Sequence, residues 1–244
     1  MKCKGCGEAR KLIKAHIIPR SFYMDLRDRA GYLNVVPSES THRIARSNIG
    51  DYDIGILCQD CDQYLAIFDD YGKQVLIDRV HPLEEISKAG AVAGWTIQGC
   101  DPVRLEKFFL SVLWRASISS RKFFLKVKLG PYERELRDYL WGEANHHRSL
   151  GCVISKFRVS RRTPGAEKTI LDPDRFKYGD RNYYRLYLGG YIIWIRVDGR
   201  RPIDSIGACE LAPDRPCIIV NRSFDDSKEF QAIHKSVLAH GWKK

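Results

Sequence analysis

Apolar residues recur at three- and four-residue steps through Pro102–Ser119 (Leu105, Phe108, Phe109, Val112, Leu113 and Ala116), which predicts the strongest helix of the chain. A second helix is expected over Pro131–Trp141, with Pro131 in its first turn and Tyr132, Leu136, Tyr139 and Leu140 inward. Ser227–His240 reads as a closing helix. Asp62–Ile77 carries Leu65, Phe68, Val75 and Leu76 at helical spacing, although Gly72 weakens that pattern. Ser21–Arg29 has Ser21 as N-cap with Phe22, Tyr23 and Leu26 on one face. Beyond residue 150 the period changes. Cys152–Val159, Tyr183–Leu188, Tyr191–Val197 and Pro216–Val220 are rich in β-branched and aromatic residues and predict strands. Leu188-Gly-Gly-Tyr191 predicts a two-residue hairpin turn. Lys11–Ile18 alternates loosely before Pro19, as a short hairpin strand would. Residues 30–52 read as an extended polar loop, and His81–Gly94 as a connector.

Eight cysteines change this picture. Four of them form two C-x-x-C pairs, Cys3-Lys-Gly-Cys6 and Cys58-Gln-Asp-Cys61. Zinc takes four tetrahedral ligands, and two such pairs supply four thiolates. Gly7 suits the tight turn of a zinc knuckle, whose backbone N–H groups point at sulfur. The long segment between Cys6 and Cys58 must carry structure of its own. Neither pair opens a βαβ unit, which disfavours a redox dithiol. Cys100, Cys152, Cys209 and Cys217 read as buried thiols.

The chain of 244 residues is long enough to bury a sizeable core without help from metals. No apolar run reaches the length of a membrane span, and the start of the chain lacks an apolar signal region, so the expected compartment is the cytoplasm. The net charge is +11, unevenly spread. Residues 61–100 hold 3 basic and 6 acidic side chains, against 11 and 5 in residues 151–200. A basic balance of this kind favours a polyanion such as nucleic acid, or serves solubility alone. No Gly-rich phosphate loop or serine-hydrolase elbow is present.

The segment Lys14-Ala-His-Ile-Ile-Pro19 lies between the cysteine pairs, and Leu57-Cys-Gln-Asp-Cys61 leads into a predicted helix. A C-x-x-C pair, a strand ending in His-Ile-Ile-Pro and then Leu-Cys-x-x-Cys before a helix resembles the treble-clef HNH nucleases. The layout is closest to the four-cysteine branch that includes phage recombination endonuclease VII. The resemblance covers about residues 3–72; Leu113-Trp-Arg115 and Lys128-Leu-Gly-Pro-Tyr132 resemble segments of uncharacterised bacterial HNH-like proteins. It implies an α+β protein in which a zinc treble clef (1–80) precedes a helical segment and a small antiparallel sheet (95–244), the two free to pack as one unit. It further implies structural Zn²⁺ on Cys3, Cys6, Cys58 and Cys61, and Mg²⁺ or Mn²⁺ for phosphodiester hydrolysis. His16 matches the general base, Asp62 the metal ligand after the last zinc cysteine, and Asp53 the residue that orients the base. Asp69 is a further candidate for the Mg²⁺, two helical turns from Asp62. The family's residue before the motif histidine is a metal ligand, and here it is Ala15. Either Asp53, Asp69 or Asp70 replaces it, or the site is degenerate.

Arg20 and Arg27 follow the motif and are candidates for phosphate contacts. Arg158, Arg161 and Arg162, followed by Tyr183, Tyr184, Tyr187 and Trp194, have the basic–aromatic interleaving that grips nucleic acid, and equally that of a sheet with a positive outer face. Arg115 is expected to pair with a carboxylate, and His146-His147 to lie on a surface loop. The leading expectation is an HNH-like endonuclease. The alternatives are a zinc-stabilised binding protein with a degenerate site, or a protein-interaction factor in phage–host conflict.

Overall fold

The structure, a computed structural model, describes residues 1–24, 33–36, 45–47, 52–142, 149–161 and 170–240. Arg27, Arg162, His146 and His147 lie outside the described residues, as does the part of the expected first helix beyond residue 24.

The first cysteine pair sits on a tight turn closed by a Lys2–Ala9 bridge. The chain continues through β1 (Ala15–His16), α1 (Ser21–Met24), β2 (Leu33–Val36), β3 (Ala45–Ser47) and β4 (Tyr52–Asp53). Helix α2 (Gln59–Lys73) follows, with Cys58 as its N-cap residue. It runs into a π-helical turn, Gln74–Asp78, which ends where Arg79 adopts φ 52°. Next come β5 (Leu83–Lys88), β6 (Ala91–Ile97), α3 (Pro102–Ile118) and α4 (Tyr132–Trp141). The remainder is β7 (Leu150–Phe157), β8 (Ile170–Leu171), β9 (Asp174–Tyr178), β10 (Arg181–Leu188), β11 (Tyr191–Val197), α5 (Asp204–Gly207), β12 (Cys217–Arg222) and α6 (Lys228–His240).

The fold is mixed α and β, but the expected small antiparallel sheet is a seven-stranded mixed one, ordered β5-β6-β12-β7-β11-β10-β9. Its β7–β12 pair is parallel and the others are antiparallel. The expected connector at 81–94 is in fact most of the β5–β6 hairpin. Strand β5 is exposed along almost its whole length, so it has no buried face to impress an alternating pattern on its sequence. The expected polar loop also contains strands. β2 pairs with β3 and, in parallel, with β8, a partner far along the chain that local pattern does not reveal. The hairpin at Gly189-Gly190 forms as expected, with both glycines at positive φ (60° and 89°).

Helix α3 is the centre of the molecule. Asp101 caps it, accepting from the N–H groups of Val103 (2.9 Å) and Arg104 (3.1 Å). Every residue from Leu105 to Ala116 is buried. The spacing predicts one apolar stripe, yet the helix is enclosed all round by α2, α4 and the sheet strands β7 and β11. Its buried polar groups have partners. Glu106 accepts from Tyr139 Oη (2.8 Å), Lys107 donates to the Gly142 carbonyl (3.0 Å), and Arg115 pairs with Asp69. One continuous apolar core reaches from Cys3 to Ile219.

Gly72 lies at the α2–α3 contact. An added Cβ there would overlap the Phe108 ring, and Phe108 in turn stacks on Phe22 at 5.3 Å. The residue that weakens the helical pattern is therefore the one that lets two helices approach. Gly72→Ala should destabilise the protein by about 1–3 kcal/mol through overpacking. Helix propensity alone predicts about 1 kcal/mol of stabilisation. Urea unfolding reads the sign directly.

Candidate metal centre and the ribbon–helix site

Four thiols converge at the N-terminal end of the fold. The Sγ atoms of Cys3, Cys6, Cys58 and Cys61 all lie within 4.8 Å of one another, and Cys6 and Cys58 are 4.0 Å apart. Tetrahedral zinc–thiolate bonds of about 2.3 Å require sulfur–sulfur separations of about 3.8 Å, so the set fits one metal ion such as zinc. Local geometry explains the convergence. Gly7 adopts φ 78° and donates to the Cys3 carbonyl (2.9 Å), closing the expected turn. Gly5 leaves room for sulfur: a Cβ there would stand 2.8 Å from Cys61 Sγ and 3.0 Å from Trp141 Cζ2. Backbone bonds from Lys4 to Ile56 and from Ile13 to Leu57, each 2.9 Å, stitch the first turn to the approach of α2. The Cys58 N–H donates to Cys3 Sγ (3.3 Å). Burial opposes the Cys3 thiolate, but N–H groups from Cys58, Cys6 and Gly5 outweigh it and hold the thiol at about 7. Burial and the neighbouring sulfurs push Cys61 far up. Four charged sulfurs at this spacing repel one another unless a cation sits among them.

Beside this cluster, β1 and β4 form a two-stranded antiparallel ribbon that leads into α2. The register pairs Ala15 with Asp53 and His16 with Tyr52. Cross-strand partners share a face and neighbours alternate, so Asp53 and the His16 imidazole point to opposite sides. That corrects the expected role of Asp53 in orienting the histidine. Asp53 is buried, and its carboxylate accepts from Gly55 N (2.8 Å), Ser119 Oγ (3.0 Å), Ser120 N (2.9 Å) and Ser120 Oγ (3.0 Å). Burial works against its charge, and these donors outweigh that and hold its pKa below the usual carboxylate range. Asp53 ties the ribbon to the end of α3.

On the other side, His16 is half-buried, and burial lowers its pKa, helped by the positive charges of Lys14, Arg115 and Arg20 and opposed by Asp69. The neutral imidazole is thus the form present near neutral pH. Asp62, in the first turn of α2, is half-buried, and burial raises its pKa against the pull of Arg115. Among the described residues nothing hydrogen-bonds or ion-pairs with the Asp62 carboxylate. Asp69 differs. Both its oxygens are taken by Arg115, at 2.8 and 2.6 Å, in a bidentate pair whose guanidinium also donates to the His16 carbonyl (3.1 Å). Asp69 is therefore committed to Arg115 through both of its oxygens. Ala15 is fully buried, so no ligand enters from its position.

Arg115 links Asp69 to the His16 carbonyl, and the charges of Arg115 and Asp69 both act on Asp62. Arg115 stands 99 positions from His16 along the chain. Its pairing to a carboxylate was legible as a charge on a buried helix; its reach to His16 was not. The second basic group stays apart. Tyr183, Tyr184 and Tyr187 are buried in the large sheet and are closed to a ligand, while Arg158 and Arg161 are exposed near the end of β7. Arg20 is exposed at the start of α1. No helix of the described residues is long and apolar enough to cross a membrane. In comparison with known proteins, the chain matches no family model, no curated protein and no solved structure.

Cys58→Ser should abolish stoichiometric metal content and lower the melting temperature by about 10 °C or more, since metal binding is part of the folding free energy. Metal analysis beside thermal melting checks both. Asp53→Ala should cost about 2–3 kcal/mol, because it strands Ser119, Ser120 and the Gly55 N–H at a buried charged acceptor site. If instead stability is unchanged, the assigned structural role of Asp53 is wrong.

Proposed function

We propose that the protein is a metal-dependent HNH-like endonuclease acting on DNA, with a zinc-stabilised treble clef at its N-terminal end. The observation that carries this reading is the order knuckle, ribbon, helix. The first cysteine pair lies on a turn, β1 and β4 follow as a ribbon, and the second pair opens α2. This order sets a neutral half-buried His16, and an Asp62 without a hydrogen-bond or ion-pair partner among the described residues, beside one Arg115–Asp69 pair. In a treble clef the four thiolates hold structural zinc, and the ribbon and helix carry the chemistry.

In this mechanism His16 takes the proton from a water molecule that attacks phosphorus. The bond from phosphorus to the 3′ oxygen breaks, and that oxygen is reprotonated by solvent. Arg115 fixes the backbone at His16 through its carbonyl, and Asp69 fixes Arg115. Mg²⁺ takes one or two protein carboxylates and keeps its remaining waters, which a single open carboxylate at Asp62 suits. When bound, Mg²⁺ or Mn²⁺ supplies charge stabilisation at the scissile phosphate and the leaving oxygen.

A second reading is favoured by Ala15 and Asp69. With the first lost as a ligand and the second held by Arg115, the same fold serves as a nucleic-acid-binding module that does not cut.

A plasmid-nicking assay with Mg²⁺ or Mn²⁺ separates the two. Wild-type protein should nick and His16→Ala should lose at least about 100-fold in rate, the lower end of general-base catalysis, while keeping its metal content. The rate should rise with pH through a midpoint below 6.5 and then level, because the base acts deprotonated and its pKa is lowered. Absence of nicking by a fully metal-loaded wild type, on duplex and branched DNA alike, selects the binding module.

A further inference from the structure

The outer face of the β1–β4 ribbon carries a second feature next to His16. Lys14 precedes His16 by two positions, and Tyr52 lies opposite His16 in the register. All three share one side of the ribbon, opposite the buried Ala15 and Asp53. Lys14 Nζ stands 3.8 Å from the centre of the Tyr52 ring, and Arg121 Cζ stands 5.8 Å from the same centre. The His16 and Tyr52 rings meet at 6.4 Å and 61°. Lys14, Arg20 and Arg121 are exposed, and among the described residues Lys14 and Arg20 have no ion-pair partner.

An ammonium held over an aromatic face has given up the freedom of a long flexible side chain. At an exposed site that contact returns little free energy of its own. The arrangement fixes positive charge beside a half-buried histidine whose own pKa already registers the field of Lys14 and Arg20. Lys14, on the ribbon, and Arg121, just past the end of α3, bring two cations to one ring, a concentration of positive charge that suits the phosphates of a sugar–phosphate backbone.

We propose that Lys14 and Arg121, braced by Tyr52, form a backbone-gripping strip that holds the DNA phosphates adjoining the one presented to His16. The strip rests on the nuclease or binding-module reading of the same site, but it is tested by binding alone. The probe is a short fluorescein-labelled DNA duplex, titrated by fluorescence polarisation over a range of salt concentrations. Magnesium and chelator are both omitted, so that the thiolate-bound metal stays in place. Each phosphate contact contributes about 0.9 to the slope of log K against log salt. Lys14→Ala and Arg121→Ala should each flatten the slope by about that amount, and the double variant by about twice as much, with melting temperatures unchanged. Tyr52→Ala should retain the slope and weaken binding about two- to five-fold, the loss of the brace. Arg158→Ala, just past the end of β7 in the large sheet, should change the slope less than either. A wild-type slope in the Lys14→Ala/Arg121→Ala protein, or no DNA binding by the wild type, overturns the strip. Nicking that survives in that double variant but not in His16→Ala overturns the strip and keeps the nuclease. Flattened slopes without any nicking keep the strip and overturn the nuclease.

Discussion

The Arg115–Asp69 pair is the interaction on which the N-terminal half depends. It joins the middle helix α3 to α2, and through the His16 carbonyl it reaches the ribbon. Arg115 is almost fully buried, and its Nε and Nη2 also donate to Ser111 of its own helix. A guanidinium in that position must be neutralised and hydrogen-bonded, because an unpaired buried charge costs several kcal/mol. Three elements are therefore held in one arrangement by one side chain. The geometry at His16 is a consequence of how the core closes, rather than of the short ribbon itself, which has only two residues per strand.

The four-cysteine cluster plays a complementary part. A ribbon of this size has too little buried area to hold its shape alone. It is pinned at one end by the cysteines, through backbone bonds between the first turn and the approach to α2. At the other end Asp53 gathers the donors that end α3. Polar contacts thus fix the ribbon from both sides, leaving its outer face, with Lys14, His16 and Tyr52, free of structural duty.

The large sheet supports this end without sharing its chemistry. Of the aromatic residues that a basic–aromatic pattern makes attractive as a nucleic-acid platform, Tyr183, Tyr184 and Tyr187 are buried and Trp194 is half-buried against Phe176 and Tyr178. Its buried cations are matched, Arg196 with Glu210 at 2.8 Å and Arg185 with Asp174 and Glu229. Two of the eleven basic residues in 151–200 are accordingly structural. Sequence composition counts such charges together with exposed ones, and only burial and pairing separate them.

The sequence by itself determined what short-range physics governs. The helical periodicity of α3, α4 and α6 was legible, as were the strands with a buried face and the glycine hairpin at 189–190. So was the metal-binding spacing of the two cysteine pairs. The tertiary structure decided whatever depends on partners distant along the chain. It paired β2 with β8, drew the unpatterned β5 into the sheet and turned Gly72 into a helix contact. It committed Asp69 to Arg115, and it set Asp53 on the far side of the ribbon from His16. Sequence offers a carboxylate at a given spacing; which face it occupies and which cation claims it are settled only when register and packing bring remote segments together.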